Sequence, residues 1–195
     1  MADIFLTSQI ENNITLKQQL LADSNFLSLL QEACDHSVQA YKQGNKLLIA
    51  GNGGSAADAQ HIAGELVSRF YFDRPALAAI ALTTDTSILT AIGNDYGYEK
   101  LFSRQIEGNG VKGDVFLAIS TSGNSPNIIN AIETAKSMGI FVIGLTGSSG
   151  GKMGTLCDLC LKMPSNETPR IQEGHILVGH LICSWIEHRL FSKNS

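Results

Sequence analysis

The sequence has no cluster of lysine and arginine. Its 14 basic residues are outnumbered by 18 acidic ones, for a formal charge of −4 over 195 residues. No dense positive surface can therefore neutralise a nucleic-acid backbone or an anionic bilayer, although backbone amides could still hold a small phosphate ester. No window reaches the roughly 18 apolar residues needed to span a bilayer. The N-terminal MADIFLTSQIENN also lacks a basic segment followed by an apolar core, and a cytoplasmic protein is expected. Four cysteines, Cys34, Cys157, Cys160 and Cys183, are few for a disulfide framework in a chain of this length and are expected to be reduced thiols. Cys157 and Cys160 form a C-x-x-C, but LCDLCLKMP reads as a strand, in which residues three apart point to opposite faces. Packing is expected there, ahead of zinc or redox chemistry. No low-complexity linker interrupts the chain. No Gly-Lys-Ser/Thr ending follows a glycine-rich turn, which excludes a nucleotide-hydrolysing P-loop.

What is present is 44% hydrophobic residues in an ordered pattern, enough for one compact domain over 1–195. Up to about Gln43 the apolar residues Leu16, Leu20, Leu21, Phe26, Leu29 and Leu30 recur at helical spacing, with Gly44 as a stop. Residues 1–45 thus read as one or two helices ahead of a core over 46–191. From Lys46 onward, short apolar runs each end in small polar residues and lead into a helical stretch. KLLIAG runs into NGGS, ALAAIAL into TTDTS, DVFLAIS into TSGNSP, and IFVIGLTG into SSGGK. A fifth run near Leu159 to Met163 precedes a helix from about Pro169 to Phe191. Continuous apolar strands alternating with helices predict an α/β fold with a parallel sheet covered on both faces. The last helix is apolar nearly all round, through Ile171, Ile176, Leu177, Val178, Leu181, Ile182, Trp185 and Ile186. Such a helix is buried in a core or against another subunit.

In a parallel α/β sheet, ligands bind beyond the carboxyl ends of the strands. Three of the turns expected there are rich in glycine and serine, and two of them suit an anion. Gly51 to Ser55, including Asn52, Gly53 and Gly54, lets backbone approach a ligand. Ser55 with Asp58 has the spacing of a capping box at a helix start, which favours an anion. Ser120, Thr121, Ser122 and Ser125 set four hydroxyls ahead of Pro126, a good first-turn residue, and suit a phosphate. Gly51, Gly53 and Ala56 also fit a G-x-G-x-x-A dinucleotide turn. The acid that could bind a ribose, Asp85, comes farther on than the roughly 20 residues such a site expects, and the second, hydroxyl-rich turn favours a monophosphate.

On the helix that begins near Ser55, Ala59, Ile62, Ala63, Leu66, Val67 and Phe70 form an apolar stripe, with Asp58, His61, Glu65 and Ser68 opposite. His61 and Glu65, at i and i+4, project together. They can chelate a metal, exchange a proton or form a surface ion pair. On the last helix Gln172 and His180 share one side among aliphatic neighbours, where burial without a partner costs roughly 1 to 3 kcal/mol. The four would make a plausible divalent-metal site, but the sequence alone does not bring the two helices together. His36, His175 and His188 are expected to be structural or exposed.

Taken together, GNGGSAADAQH, AIGNDYGYEKLFSRQ, STSGNSPN, LTGSSGGKM and TPRIQEGHILVGHLIC resemble the phosphoheptose isomerases of the sugar isomerase (SIS) family, from about Lys46 to Trp185. The resemblance implies a three-layer fold with a five-stranded parallel sheet. It also implies a homotetramer with active sites between subunits, and interconversion of sedoheptulose 7-phosphate and D-glycero-D-manno-heptose 7-phosphate at the start of bacterial heptose synthesis. It implies one zinc per subunit on His61, Glu65, Gln172 and His180. Substrate contacts are implied at Asn52, Gly53, Gly54, Ser55, Glu65, Asn94, Asp95, Ser120, Thr121, Ser122, Ser125 and Gln172. Asn94 and Asp95 enter through the resemblance alone. Glu65 would be the base and His180 the acid, on opposite sides of the substrate carbons. A related protein of the same fold binds the replication initiator DnaA and lacks that pair, whereas this sequence keeps both members. A sugar-phosphate-sensing regulator is disfavoured because no DNA-binding module or basic face precedes the domain.

Overall fold

The computed structural model describes residues 3–192. Two helices open the chain, α1 (Ile4–Ala22) and α2 (Ser24–Lys42). Each starts where an aspartate side chain accepts from the first free amides: Asp3 from Phe5 N, and Asp23 from Asn25 N and Phe26 N. Gly44 follows α2 at φ +80° and turns the chain into the sheet.

The core elements then alternate: β1 (Leu47–Ala50), α3 (Gly54–Val67), β2 (Ala79–Ala81), α4 (Thr86–Tyr96), a 3-10 turn at Tyr98–Lys100, α5 (Ser103–Asn109), β3 (Val115–Ile119), α6 (Pro126–Ser137), β4 (Phe141–Thr146), α7 (Met153–Leu156), β5 (Leu159–Lys162) and α8 (Thr168–Phe191). All strand pairs are parallel, in the order β2-β1-β3-β4-β5. The expected five-stranded parallel sheet is therefore present, and it forms the middle of three layers.

The strand period of two divides the core cleanly. Leu47, Ile49, Leu117, Ile143, Leu145 and Leu161 face α1, α2, α3 and α8. Leu48, Ala50, Phe116, Ala118 and Val142 face α5, α6 and α7. Both faces are buried, which is why these strands read as continuous apolar runs. Among the described residues, no helix is long and apolar enough to cross a membrane.

Three local expectations need correction. Ser55 does not cap α3: the cap position is Gly53, at φ +57°, with no side-chain bond, and Ser55 is buried in the first turn. A Cβ at Gly51 would stand 2.6 Å from that of Ser55, so the serine packs back onto the turn instead of reaching along the helix. Helix α3 also stops at Val67, which is exposed, so Ser68 and Phe70 belong to the following loop. Finally, Cys157 is not part of a strand. It ends α7, and the chain bends at Asp158 before β5 begins, so Cys157 and Cys160 come to the same side of the sheet.

Candidate functional site

The strand order reverses between β1 and β3, and in this class of sheet the crevice outside that point holds the ligand. The two small-residue turns named from the sequence are the loops after those strands. They are tied together: the Asn52 and Asn127 side chains exchange hydrogen bonds of 2.9 and 2.8 Å, and the Tyr98 hydroxyl donates to Asn52 Oδ1 at 3.0 Å. A cavity of about 310 Å³ opens beside this knot, lined by Asn52, Gly53, Thr83, Thr90, Tyr98 and Phe102 among others.

In the loop after β3 the hydroxyls converge. Ser120 Oγ lies 3.0 Å from Ser125 Oγ and 3.4 Å from Ser122 Oγ. Ser125 occupies the cap position of α6 without making a cap bond, so its hydroxyl stays turned into the loop. The neighbouring loop after β4 braces this one, with Met153 N donating to Gly123 O and Lys152 N to Asn124 Oδ1.

Helices α3 and α8 run side by side in the same direction. Gly54 meets Gln172 at their first turns, Ile62 meets Gly179 further along, and His180 Nε2 stands 3.3 Å from His61 Nε2. His61 Nε2 is also 3.0 Å from Glu65 Oε1. The donor atoms of His61, Glu65 and His180 all lie within 4.8 Å of one another, an arrangement able to hold a metal ion. The sequence reading thus gains the contact it lacked. Gln172 lies against Gly54, so tightly that a Cβ there would overlap its amide. Its backbone is eight helical residues, about 12 Å, from that of His180. Asn94 and Asp95 sit exposed at the end of α4, with Asn94 Nδ2 donating to Asp95 Oδ1 at 2.8 Å.

Two further features were not singled out from the sequence. Asp58 lies on the polar face of α3, where its spacing from Ser55 predicts only a capping role. Its Oδ2 is buried without a hydrogen-bond partner. Desolvation raises its carboxyl above the usual range, while the nearby His61 and His180 pull the other way. Its i, i+3 spacing to His61 was the available signal. The second feature is a clamp on the end of α3. Arg74 donates from Nη2 to Glu65 O at 2.9 Å, from Nη1 to Leu66 O at 2.7 Å and from Nε to Glu187 Oε2 at 3.0 Å. Glu187 also accepts from Phe70 N and Tyr71 N. Both side chains are buried, and the pair fastens the turn bearing Glu65 to α8, two turns beyond His180. No local pattern links positions 113 residues apart.

A family model for the SIS domain matches residues 11–147. A protein of Aneurinibacillus thermoaerophilus named phosphoheptose isomerase is 61% identical, over 96% of this chain and 94% of the relative. Phosphoheptose isomerase 2 of Campylobacter jejuni is 62% identical, over 97% and 94%. Among solved structures, a phosphoheptose isomerase from Neisseria gonorrhoeae superposes with a TM-score of 0.87 at 43% identity, covering 93% of this chain and 96% of its own.

Proposed function

The chain belongs to the SIS domain family, and on that premise we propose that it is an aldose–ketose isomerase acting on sedoheptulose 7-phosphate. The product, D-glycero-D-manno-heptose 7-phosphate, would enter bacterial heptose biosynthesis. The observation that carries this reading is the meeting of His61, Glu65 and His180 beside the switch-point loops. These are groups that exchange protons, placed next to loops suited to a phosphate.

Moving the carbonyl between C2 and C1 requires a proton to leave one carbon and return to its neighbour, while the two oxygens exchange theirs. Glu65 takes the carbon-bound proton from C1, giving an enediol, and returns it at C2. His180 moves the proton between the oxygens. Their spacing, under 4.8 Å, leaves one C1–C2 unit within hydrogen-bond reach of both. Ser120, Thr121, Ser122 and Ser125, with the amides of Asn52 to Gly54, hold the phosphate and fix the sugar's register. Asn52, held by Asn127 and Tyr98, keeps the two loops at a set distance.

The donor set fits zinc. Two imidazole nitrogens 3.3 Å apart, with a carboxylate oxygen within 4.8 Å of both, are ligand types that zinc takes. His61, Glu65 and His180 are also the residues that would hold one zinc per subunit. Metal binding and acid–base work would then alternate or use different atoms of Glu65 and His180, and Gln172, whose amide lies against Gly54, would complete the set only by turning away from that glycine. When bound, the ion would polarise the carbonyl and stabilise negative charge on the enediol oxygens.

Residues 1–45 are assigned to oligomerisation. Ile4, Phe5, Leu6 and Ile10, close together at the start of α1, are each more than half exposed, as is Leu21 near its end, and large apolar side chains left open in this way suit a subunit contact. A homotetramer with shared sites would also give Asn94 and Asp95 a substrate to contact. A cytoplasmic location is consistent with this substrate class.

The test is turnover of sedoheptulose 7-phosphate by purified protein, with and without chelator and added zinc, for wild type, Glu65→Gln and His180→Gln. Both variants should be folded oligomers without activity. Full activity in either one refutes the acid–base assignment.

A further inference from the structure

The C-x-x-C motif lies across the sheet from α3 and α8, with Cys157 at the end of α7 and Cys160 on the edge strand β5. Three observations set its two thiols apart from Cys34 and Cys183. First, register pairs Gly144 with Cys160, so the missing Gly144 side chain would have stood on the same face as Cys160. Cys157 Sγ fills that space, 2.7 Å from where a Gly144 Cβ would be. The glycine is what leaves room for the Cys157 sulfur beside Cys160. Second, Cys160 Sγ lies 3.6 Å from Thr146 Oγ1. Lys162 lines the same cavity as Cys160. Third, the pair borders a cavity of about 360 Å³ between α2 and β5, lined by Asp23, Phe26, Leu29 and Lys162 as well as the two cysteines.

We propose that Cys157 and Cys160 are a thiol–disulfide exchange site for low-molecular-weight disulfides, with Cys160 attacking and Cys157 resolving. The electrostatics support this division. The neighbouring Cys157 thiol, the largest influence, holds the Cys160 thiol down to about 7, aided by Thr146 and Lys162 against the effect of burial. The same interaction, together with burial, pushes the Cys157 thiol far up. Cys34 and Cys183, buried without such partners, are pushed up to about 12. A thiol near 7 is half ionised at neutral pH, where the thiolate is the nucleophile.

In the first step the Cys160 thiolate attacks one sulfur of RSSR. The RS–SR bond breaks, a mixed disulfide forms on Cys160, and RS⁻ leaves and takes up a proton. Capping Cys160 removes the charge that kept Cys157 protonated. The Cys157 thiol then loses its proton to water and attacks the Cys160 sulfur, expelling the second RS⁻, which is protonated in turn. Overall two protein thiols are oxidised to one disulfide, and RSSR is reduced to two RSH.

The experiment treats wild-type protein with excess bis(2-hydroxyethyl) disulfide from pH 5.5 to 9, quenches with alkylating agent and maps peptides by mass spectrometry. The expected result is loss of two hydrogens and a Cys157–Cys160 link. The rate should rise through a midpoint near pH 7, and at pH 7 it should be about fivefold faster than for an ordinary thiol, since higher ionisation outweighs lower intrinsic nucleophilicity. Cys157→Ser should accumulate the mixed disulfide on Cys160, whereas Cys160→Ser should leave Cys157 as unreactive as Cys34. Should Cys34 or Cys183 react first in wild type, the midpoint lie near 9, or the mixed disulfide sit on Cys157, the proposal fails. Because the wild-type map stands alone, a variant that does not fold leaves the test intact. None of these readouts depends on isomerase activity.

Discussion

Gly179 sits between His180 and the buried face of α8, and replacing it with alanine tests whether helix spacing sets the metal site. A Cβ at this position would stand 2.5 Å from Ile62 Cδ1 and 2.7 Å from Ile62 Cγ1. Carbon atoms in contact prefer about 3.5 to 4.0 Å, so roughly 1 Å must be found. Ile62 is fully buried and, being β-branched, has little freedom at χ1. The relief must come largely from separating α3 and α8. Ile62 adjoins His61 and Gly179 adjoins His180, so the 3.3 Å between their Nε2 atoms widens by a similar amount. Overpacking costs about 1 to 3 kcal/mol, and the helix propensity of alanine returns about 1 kcal/mol. The net loss of stability is therefore about 0 to 2 kcal/mol. At about 2 to 4 °C per kcal/mol, the melting midpoint moves only a few degrees. Zinc affinity, measured by calorimetry, should fall at least about tenfold, and turnover should fall with it. Gly64→Ala is the matched control. It lies in α3 next to Glu65 with open space around its Cβ, and should raise stability by up to about 1 kcal/mol with metal binding and turnover intact. Wild-type zinc affinity and turnover in Gly179→Ala would refute the reasoning, as would equal damage from Gly64→Ala.

Other outcomes follow from the same geometry. Gly54→Ala pushes the Gln172 amide aside. It should leave the melting midpoint nearly unchanged while lowering turnover by as much as about a hundredfold, the scale expected for a misplaced contact. Arg74→Met leaves the buried Glu187 carboxylate without its charge partner and should cost about 3 to 5 kcal/mol in urea denaturation. The loss on adding Glu187→Gln should be smaller than in a protein that keeps Arg74. His175 is fully buried, and burial pushes its imidazole down to about 4, against a smaller opposing interaction with the Thr146 backbone. The unfolded chain then binds the extra proton between about 4 and 6.5, so this residue's contribution to stability is lost as pH falls through that window, by about 3 kcal/mol in full. The stability difference between wild type and His175→Leu, compared at pH 7.5 and pH 5, should shift accordingly. A constant difference would show that His175 is not held neutral.

The five strands and their alternation with helices were legible from sequence because burial on both faces demands continuous apolar runs, a pattern local to each segment. The hydroxyl-rich and glycine-rich turns were legible for the same kind of reason. Where the reading failed, packing at a glycine had overridden the pattern. Ser55 looked like a cap but packs against Gly51, and Cys157 looked like a strand residue but ends α7 over the gap at Gly144. Sequence supplied His61 with Glu65, and separately Gln172 with His180, since helical periodicity places such pairs on one face. It could not bring the pairs together, because nothing local to either helix specifies their separation. That separation was decided by the close approach of Gly179 to Ile62 and by the Arg74–Glu187 clamp. Both depend on parallel α3 and α8 packing on the same face of a sheet, and only the folded chain contains that contact.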